Sequence, residues 1–120
     1  MKIPLKTDSG RTVATLDTET GEIYKQVYAK THMLQKPRAW AYDMSIYNEL
    51  MGYAIDKKIP RDKMHFTINA RDEGKTYTIS FDKFNEHLFE FNRRHGNQVA
   101  VTLDRWAVEK DGIKQLELFA

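Results

Sequence analysis

Side chains that commonly carry catalysis are few in this chain and show no catalytic spacing. Cysteine is absent, which removes a thiolate nucleophile, a disulfide framework and a cysteine zinc site. Serine is sparse and lies outside any G-x-S-x-G pattern. The histidines show no H-x-x-x-H or H-E-x-x-H spacing; they are His32, His65, His87 and His95. We therefore predict a non-enzymatic protein that needs no metal or other cofactor and has no evident small-molecule substrate.

Basic residues that could bind nucleic acid gather in three stretches of the chain. The candidates are Lys36, Arg38, Lys58, Arg61, Arg93 and Arg94, with Trp40 as a surface on which a base could stack. Such cations would bind phosphate with an affinity that falls steeply with salt. Acidic residues are dispersed among them, so the same charges also suit an ordinary solvated surface. DNA or RNA is one alternative partner, with Arg93 and Arg94 as the strongest candidates.

Length and composition indicate one globular domain. The 120 residues can bury a core without metals or disulfides, and 41% apolar with 30% charged residues is typical of folded proteins. Nineteen basic and seventeen acidic residues leave a net charge of +2, which does not demand a polyanionic partner. The first residues lack the apolar core of a secretory signal, and no apolar run approaches the ~18 residues that cross a bilayer. We expect a soluble, cytoplasmic protein with no membrane partner.

The first half of the chain reads as a β meander followed by a helix. Residues 2–6, 11–17 and 22–28 have the β-branched and aromatic content of strands, and Gly21 supplies the turn between the last two. Pro37 disfavours a helix across residues 31–38. Asp43 or Ser45 can then cap a helix that runs to about Lys57.

The second half alternates strands with one more helix. Residues 64–69 and 76–81 alternate apolar and polar side chains around a Gly-containing turn, which predicts a hairpin. Asp82 is the predicted cap of a second helix that ends at Gly96. Residues 98–103 then form a strand, and residues 105–109 are expected to continue as extended chain. Asp111-Gly112 is a predicted hairpin turn that folds residues 113–119 back on residues 105–109.

These elements predict an α+β fold: a single small domain with an antiparallel sheet of six or seven short strands and two helices. An OB-like barrel is the alternative, because three strands, a helix and two strands follow its order. The domain would cover residues 1–112, with residues 113–120 as a C-terminal strand or tail. Most aromatic residues fall on inward faces and are predicted core; they are Trp40, Phe66, Tyr77, Phe81, Phe84, Phe91 and Trp106, with Phe89 partly exposed.

The final residues carry the most specific pattern in the chain. Gln115, Leu116, Leu118 and Phe119 read Q-L-x-L-F, which resembles the short peptide by which many bacterial proteins bind the replicative sliding clamp. The resemblance implies that glutamine is held by hydrogen bonds and that leucine and phenylalanine enter adjoining apolar clefts. Glu117 departs from the family, which usually has serine or aspartate there, at a tolerant position. Chance produces this pattern about once in several hundred chains of this length.

The same residues also suit a structural strand, because Leu116 and Leu118 share one face at a period of two. The resemblance implies recruitment to the clamp, and we predict a non-enzymatic accessory or adaptor protein of bacterial DNA metabolism. The hypothesis that a phage or mobile element carries it comes only from the small size of the chain and from a domain that resembles no family. Two alternatives stay open. One is a small inhibitor that binds a phage or host protein through its folded surface, with the tail as a structural strand. The other is a nucleic-acid-binding module.

Overall fold

The structure, a computed structural model, describes residues 1–27, 39–70 and 74–116, the last three of these as backbone only. The strands are β1 (Lys2–Lys6), β2 (Thr12–Asp17), β3 (Ile23–Val27), β4 (Ala39–Asp43), β5 (Met64–Ala70), β6 (Lys75–Ser80), β7 (Ala100–Asp104) and β8 (Ile113–Leu116). The helices are α1 (Met44–Lys57), α2 (Phe81–His95) and α3 (Arg105–Asp111), with a short 3-10 turn at Arg61–Lys63.

Six of the strands form one sheet in the order β1-β2-β3-β5-β6-β8, and β4 pairs with β7 in a separate ribbon. The α+β prediction is confirmed, whereas the described strands form no closed barrel, so the OB-like alternative is wrong. The sheet is also not wholly antiparallel, because β3 and β5 are parallel, with Ile23 opposite Met64. A parallel pair needs a long crossover, and the segment with β4 and α1 lies between these two strands in the chain.

Helix α1 begins where the sequence predicts. The Asp43 carboxylate accepts a hydrogen bond from the Ser45 backbone N–H at 2.9 Å, which satisfies one of the unpaired donors of the first turn. Leu50 and Ala54 are buried on the inner face. The helix ends at Lys58, whose φ of 56° is left-handed and whose N–H donates back into the last turn.

Helix α2 begins at Phe81, and its N-cap lies two residues before the predicted cap Asp82. Ser80 is the N-cap, because its hydroxyl accepts a hydrogen bond from the Lys83 N–H at 3.2 Å; Asp82 instead lies in the first turn, where its charge suits the helix dipole. Phe84 and Leu88 are buried, and Gly96 ends the helix with a φ of 73°. The Phe84 ring stacks on Phe66 of β5 with centroids 4.0 Å apart, which places the core between the large sheet and the helices.

Helix α3 corrects the prediction that residues 105–109 are extended. Ala107 and Val108 are buried, and the Arg105 Nε donates to Glu109 Oε1 at 3.0 Å across one helical turn. Tertiary packing and this i,i+4 ion pair favour the helix although its sequence is too short to form one alone. Gly112 therefore follows the end of a helix and is not part of a hairpin turn.

Candidate functional site

The first part of the clamp-like peptide is the edge strand of the large sheet. β8 pairs antiparallel with β6, with Gln115 opposite Thr76 and Leu116 opposite Lys75. The predicted pairing with residues 105–109 is wrong, because those residues form α3. Ile113 at the start of β8 is 69% exposed, so this side chain contributes little apolar burial to the strand. Leu118 and Phe119 lie outside the described residues.

Gly112 forms the tight junction between α3 and the tail strand. Its N–H donates to the Val108 carbonyl oxygen at 2.8 Å. A Cβ at this position would lie 2.5 Å from that same oxygen and 3.4 Å from the Tyr77 ring. Any other residue would therefore have to push the tail away from the helix end or from β6.

A histidine–carboxylate pair ties the end of α3 to α2. His87 Nε2 lies 2.7 Å from Asp111 Oδ2, and both side chains are mostly buried. The Trp106 ring meets the His87 ring at 90° with centroids 5.7 Å apart, an edge-to-face contact. Asp111, the last residue of α3 before Gly112, is thus tied to α2 through His87.

The start of α3 is anchored by a buried arginine. Arg105 is 6% exposed, and its guanidinium lies 5.0 Å from the centre of the Trp40 ring, within cation–π range. Trp40 itself is 2% exposed. The expectation that Trp40 offers a stacking face for a base is therefore corrected, since protein already covers both the ring and its cationic neighbour.

Among the described residues, the predicted cations at the two ends of α2 lie far apart. Lys36 and Arg38 lie outside the described residues, and Lys58 is exposed at the end of α1. Arg61 donates to Asp82 at 2.7 Å at the start of α2. Since α2 rises about 1.5 Å per residue, Arg93 and Arg94 at its far end lie roughly 18 Å from that pair.

Arg93 and Arg94 are each accompanied by a carboxylate. The Arg93 Nε donates to Glu90 at 3.1 Å, a hydrogen bond that lowers the pKa of Glu90 and raises that of Arg93. Arg94 lies 3.9 Å from Asp104. These pairs leave the end of α2 with mixed charge, which does not favour the nucleic-acid alternative.

A partly buried ion-pair network, which sequence patterns did not predict, links the sheet to α1. Lys25 is 8% exposed in β3, and its Nζ donates to Glu49 Oε1 at 2.9 Å. Arg11, the residue just before β2, bonds the other carboxylate oxygen, so both oxygens of Glu49 have a cationic partner. An alternating strand pattern places Lys25 inward, but only the fold shows which acid meets it. A cavity of about 250 Å³ opens beside Glu49.

A second polar cluster lies on the outer face of the sheet. The Tyr24 hydroxyl donates to Glu22 at 2.9 Å, and burial together with this hydrogen bond raises the pKa of Tyr24 to about 12. The Tyr24 ring stacks on His65 with centroids 5.1 Å apart, and the His65 side chain is only 16% exposed. The two rings face each other and not the solvent.

Within the described ranges, no group of three or more His, Asp or Glu side chains could hold a metal ion. Among the described residues, no helix is both long and apolar enough to span a membrane.

Comparison with protein-family models, with curated proteins and with solved structures finds no match to this chain. The fold and site thus define a small α+β protein with a candidate docking strand at one sheet edge, next to a firmly anchored helix.

Proposed function

We propose that this chain is a non-enzymatic accessory protein of bacterial DNA metabolism that binds the replicative sliding clamp through Gln115, Leu116, Leu118 and Phe119. The observation that carries the proposal is the Q-L-x-L-F pattern of residues 115–119. Within the described residues, β8 holds Gln115 and Leu116 at the edge of the sheet, where they pair with β6 alone and can leave without separating any other strands.

Release of β8 from the sheet sets a limit on affinity. Its four residue pairs with β6 provide about four interstrand hydrogen bonds, each with a net value of ~1 kcal/mol, so loss of this backbone pairing costs ~4 kcal/mol. A cost of this size lowers the apparent affinity by up to roughly a thousandfold. Ile113 adds little to the cost because it is exposed. A free peptide of residues 113–120 is thus expected to lack this penalty.

The test is binding of the full chain to purified clamp, measured by calorimetry. Phe119→Ala should weaken binding at least tenfold, because apolar anchors carry most of the energy of such peptides. Glu117→Ala is the matched control in the same segment and should bind like the parent chain. Removal of residues 115–120 should abolish binding while circular dichroism shows that the domain stays folded.

The proposal is overturned if neither the full chain nor the peptide of residues 113–120 binds the clamp at micromolar concentration. Equal binding by the parent and the truncated chain would also overturn it. A large loss of thermal stability on truncation, without any clamp binding by the parent, would instead identify residues 113–120 as a structural strand.

A further inference from the structure

Trp106 is the aromatic residue whose position differs most from the sequence prediction. It is 59% exposed, although Arg105, Ala107 and Val108 around it in α3 are all buried. A large apolar side chain left in solvent on an otherwise well-packed helix is a feature of interaction sites. Tryptophan is also the residue type most enriched among the residues that dominate protein–protein binding energy.

The Trp106 indole is already restricted in the unbound chain. Its edge-to-face contact with His87 restricts the ring, and His87 is in turn fixed by Asp111 at 2.7 Å. The helix beneath it is anchored by the burial of Ala107 and Val108. A side chain ordered in this way loses less conformational entropy on binding than a free one.

The crease beside Trp106 is too small to hold a small-molecule ligand. It lies between α2, β7 and α3 and is lined by Phe91, Arg94 and Thr102, among others. Its volume of about 30 Å³ is close to the space of one water molecule, far below the ~300 Å³ of typical ligand pockets. A shallow crease next to an exposed ring is the shape of a contact between two proteins.

The charges around the crease favour a protein over a nucleic acid. Arg94 lies 3.9 Å from Asp104, and Arg93 donates to Glu90. A phosphate backbone would have to displace both carboxylates or lie beside them. An aromatic residue with arginine and balanced charges at its rim is the usual composition of a protein interface.

The chain between Trp106 and the docking peptide is short enough to keep Trp106 near any protein that binds the peptide. Gly112 lies six positions after Trp106, at ~1.5 Å of helical rise per residue. Gln115 lies three positions further on, at ~3.4 Å per residue in an extended chain. Trp106 is therefore within ~20 Å of Gln115 whether or not β8 leaves the sheet. A standard interface patch of ~800 Å² per partner is about 30 Å across, so a protein that holds Gln115 has its surface close to Trp106.

We infer that Trp106 and the adjoining crease form a second contact with the protein that takes the docking peptide, on the surface next to the peptide's own site. This inference rests on the proposed function, with the sliding clamp as that protein. The second contact would offset part of the cost of releasing β8. It would also fix the orientation of the domain relative to the clamp, because peptide and domain would be held at two points.

The experiment uses the full chain with 5-fluorotryptophan at both tryptophan positions and unlabelled clamp. Trp106→Phe assigns the two fluorine resonances. Clamp should shift the Trp106 resonance and protect it from solvent, while the Trp40 resonance stays in place because Trp40 is buried already. Trp106→Ala in the full chain should weaken clamp binding by about fivefold or more, the range expected for a dominant interface residue.

Phe89→Ala is the matched control. Phe89 is also an exposed aromatic, at 70%, but it lies two residues from both His87 and Phe91 and so on the opposite side of α2. It should bind clamp like the parent. Unchanged affinity for Trp106→Ala, or an unshifted Trp106 resonance in a chain that does bind, overturns the inference and leaves the proposed function standing.

Other outcomes are equally decisive. Loss of binding by both the peptide and the full chain overturns the proposed function and the inference with it. Protection of Trp106 by a single-stranded oligonucleotide but not by clamp would assign the crease to nucleic acid. Concentration-dependent protection without any added partner would assign it to a second copy of the chain.

Discussion

Gly112→Ala and Gly52→Ala should change stability in opposite directions. At Gly112 a Cβ would lie 2.5 Å from the Val108 carbonyl oxygen, a backbone atom that cannot rotate away, and 3.4 Å from the Tyr77 ring. The φ of −88° suits alanine, so the cost is steric and not conformational. Forced shifts of this kind cost about 1–3 kcal/mol.

Gly52 lies in the middle of α1, and a Cβ there would meet nothing within 4 Å. Alanine in the interior of a helix is favoured over glycine by roughly 0.5–1 kcal/mol, because the unfolded glycine has more freedom to lose. Gly52→Ala should therefore stabilise the domain by that amount. Together the two variants separate a glycine required by close contact from one that is not.

The assay is urea unfolding of the parent and the two variants, followed by circular dichroism. For a chain of this size ~1 kcal/mol corresponds to roughly 3–6 °C in Tm, so a thermal scan should show the same order. Gly112→Ala should also speed amide exchange in β6, because the tail strand is displaced from it. A Gly112→Ala variant as stable as the parent would refute the packing of Gly112 against Val108 and Tyr77.

Three further outcomes are expected. Glu49→Gln should destabilise the fold by about 1–3 kcal/mol in urea unfolding, because it removes the negative charge that pairs with the mostly buried Lys25. Adding Lys25→Met should recover much of that loss, and no recovery would contradict the pairing of Lys25 with Glu49. Phe66→Ala should cost about 3–5 kcal/mol by the same measurement, since it removes a fully buried ring, and a loss below 1 kcal/mol would contradict that burial. The pKa of Tyr24 is raised to about 12 in the folded chain against an ordinary 10, so its contribution to stability is complete below pH ~10 and is lost as pH rises towards 12. In Tyr24→Phe, the free energy of unfolding should therefore change less between pH 9 and pH 11 than it does in the parent. An unchanged difference would refute the raised pKa of Tyr24.

Much of the fold follows from local sequence. The alternation in residues 64–69 and 76–81 predicts β5 and β6 to within one residue at each end, and Asp43 before an apolar stripe predicts α1. The parallel pairing of β3 with β5 could not be predicted, because nothing local in either strand specifies a partner some forty residues away. Helix α3 was missed because seven residues are too few to show a helical period.

The candidate site was predictable only where it is a linear pattern. The pattern from Gln115 to Phe119 is visible in the sequence itself. The pairing of β8 with β6 is not, because residues 105–109, the predicted partner strand, form α3 instead. The same error placed Trp106 in the core. On a helix, Trp106 points away from the buried side chains of Ala107 and Val108, so its exposure follows from the element type and not from its own hydrophobicity.

The parallel pairing of β3 with β5 has a consequence for how the chain folds. Ile23 and Met64 are 41 residues apart, so their pairing closes a long loop, whereas β1 and β2, like β5 and β6, are close neighbours in the chain. The two antiparallel units can form early, and their union across β3 and β5 is expected to limit the folding rate. Substitutions at Val27 or Ile68, where the two units meet, should slow folding, and those in β1 should mainly speed unfolding.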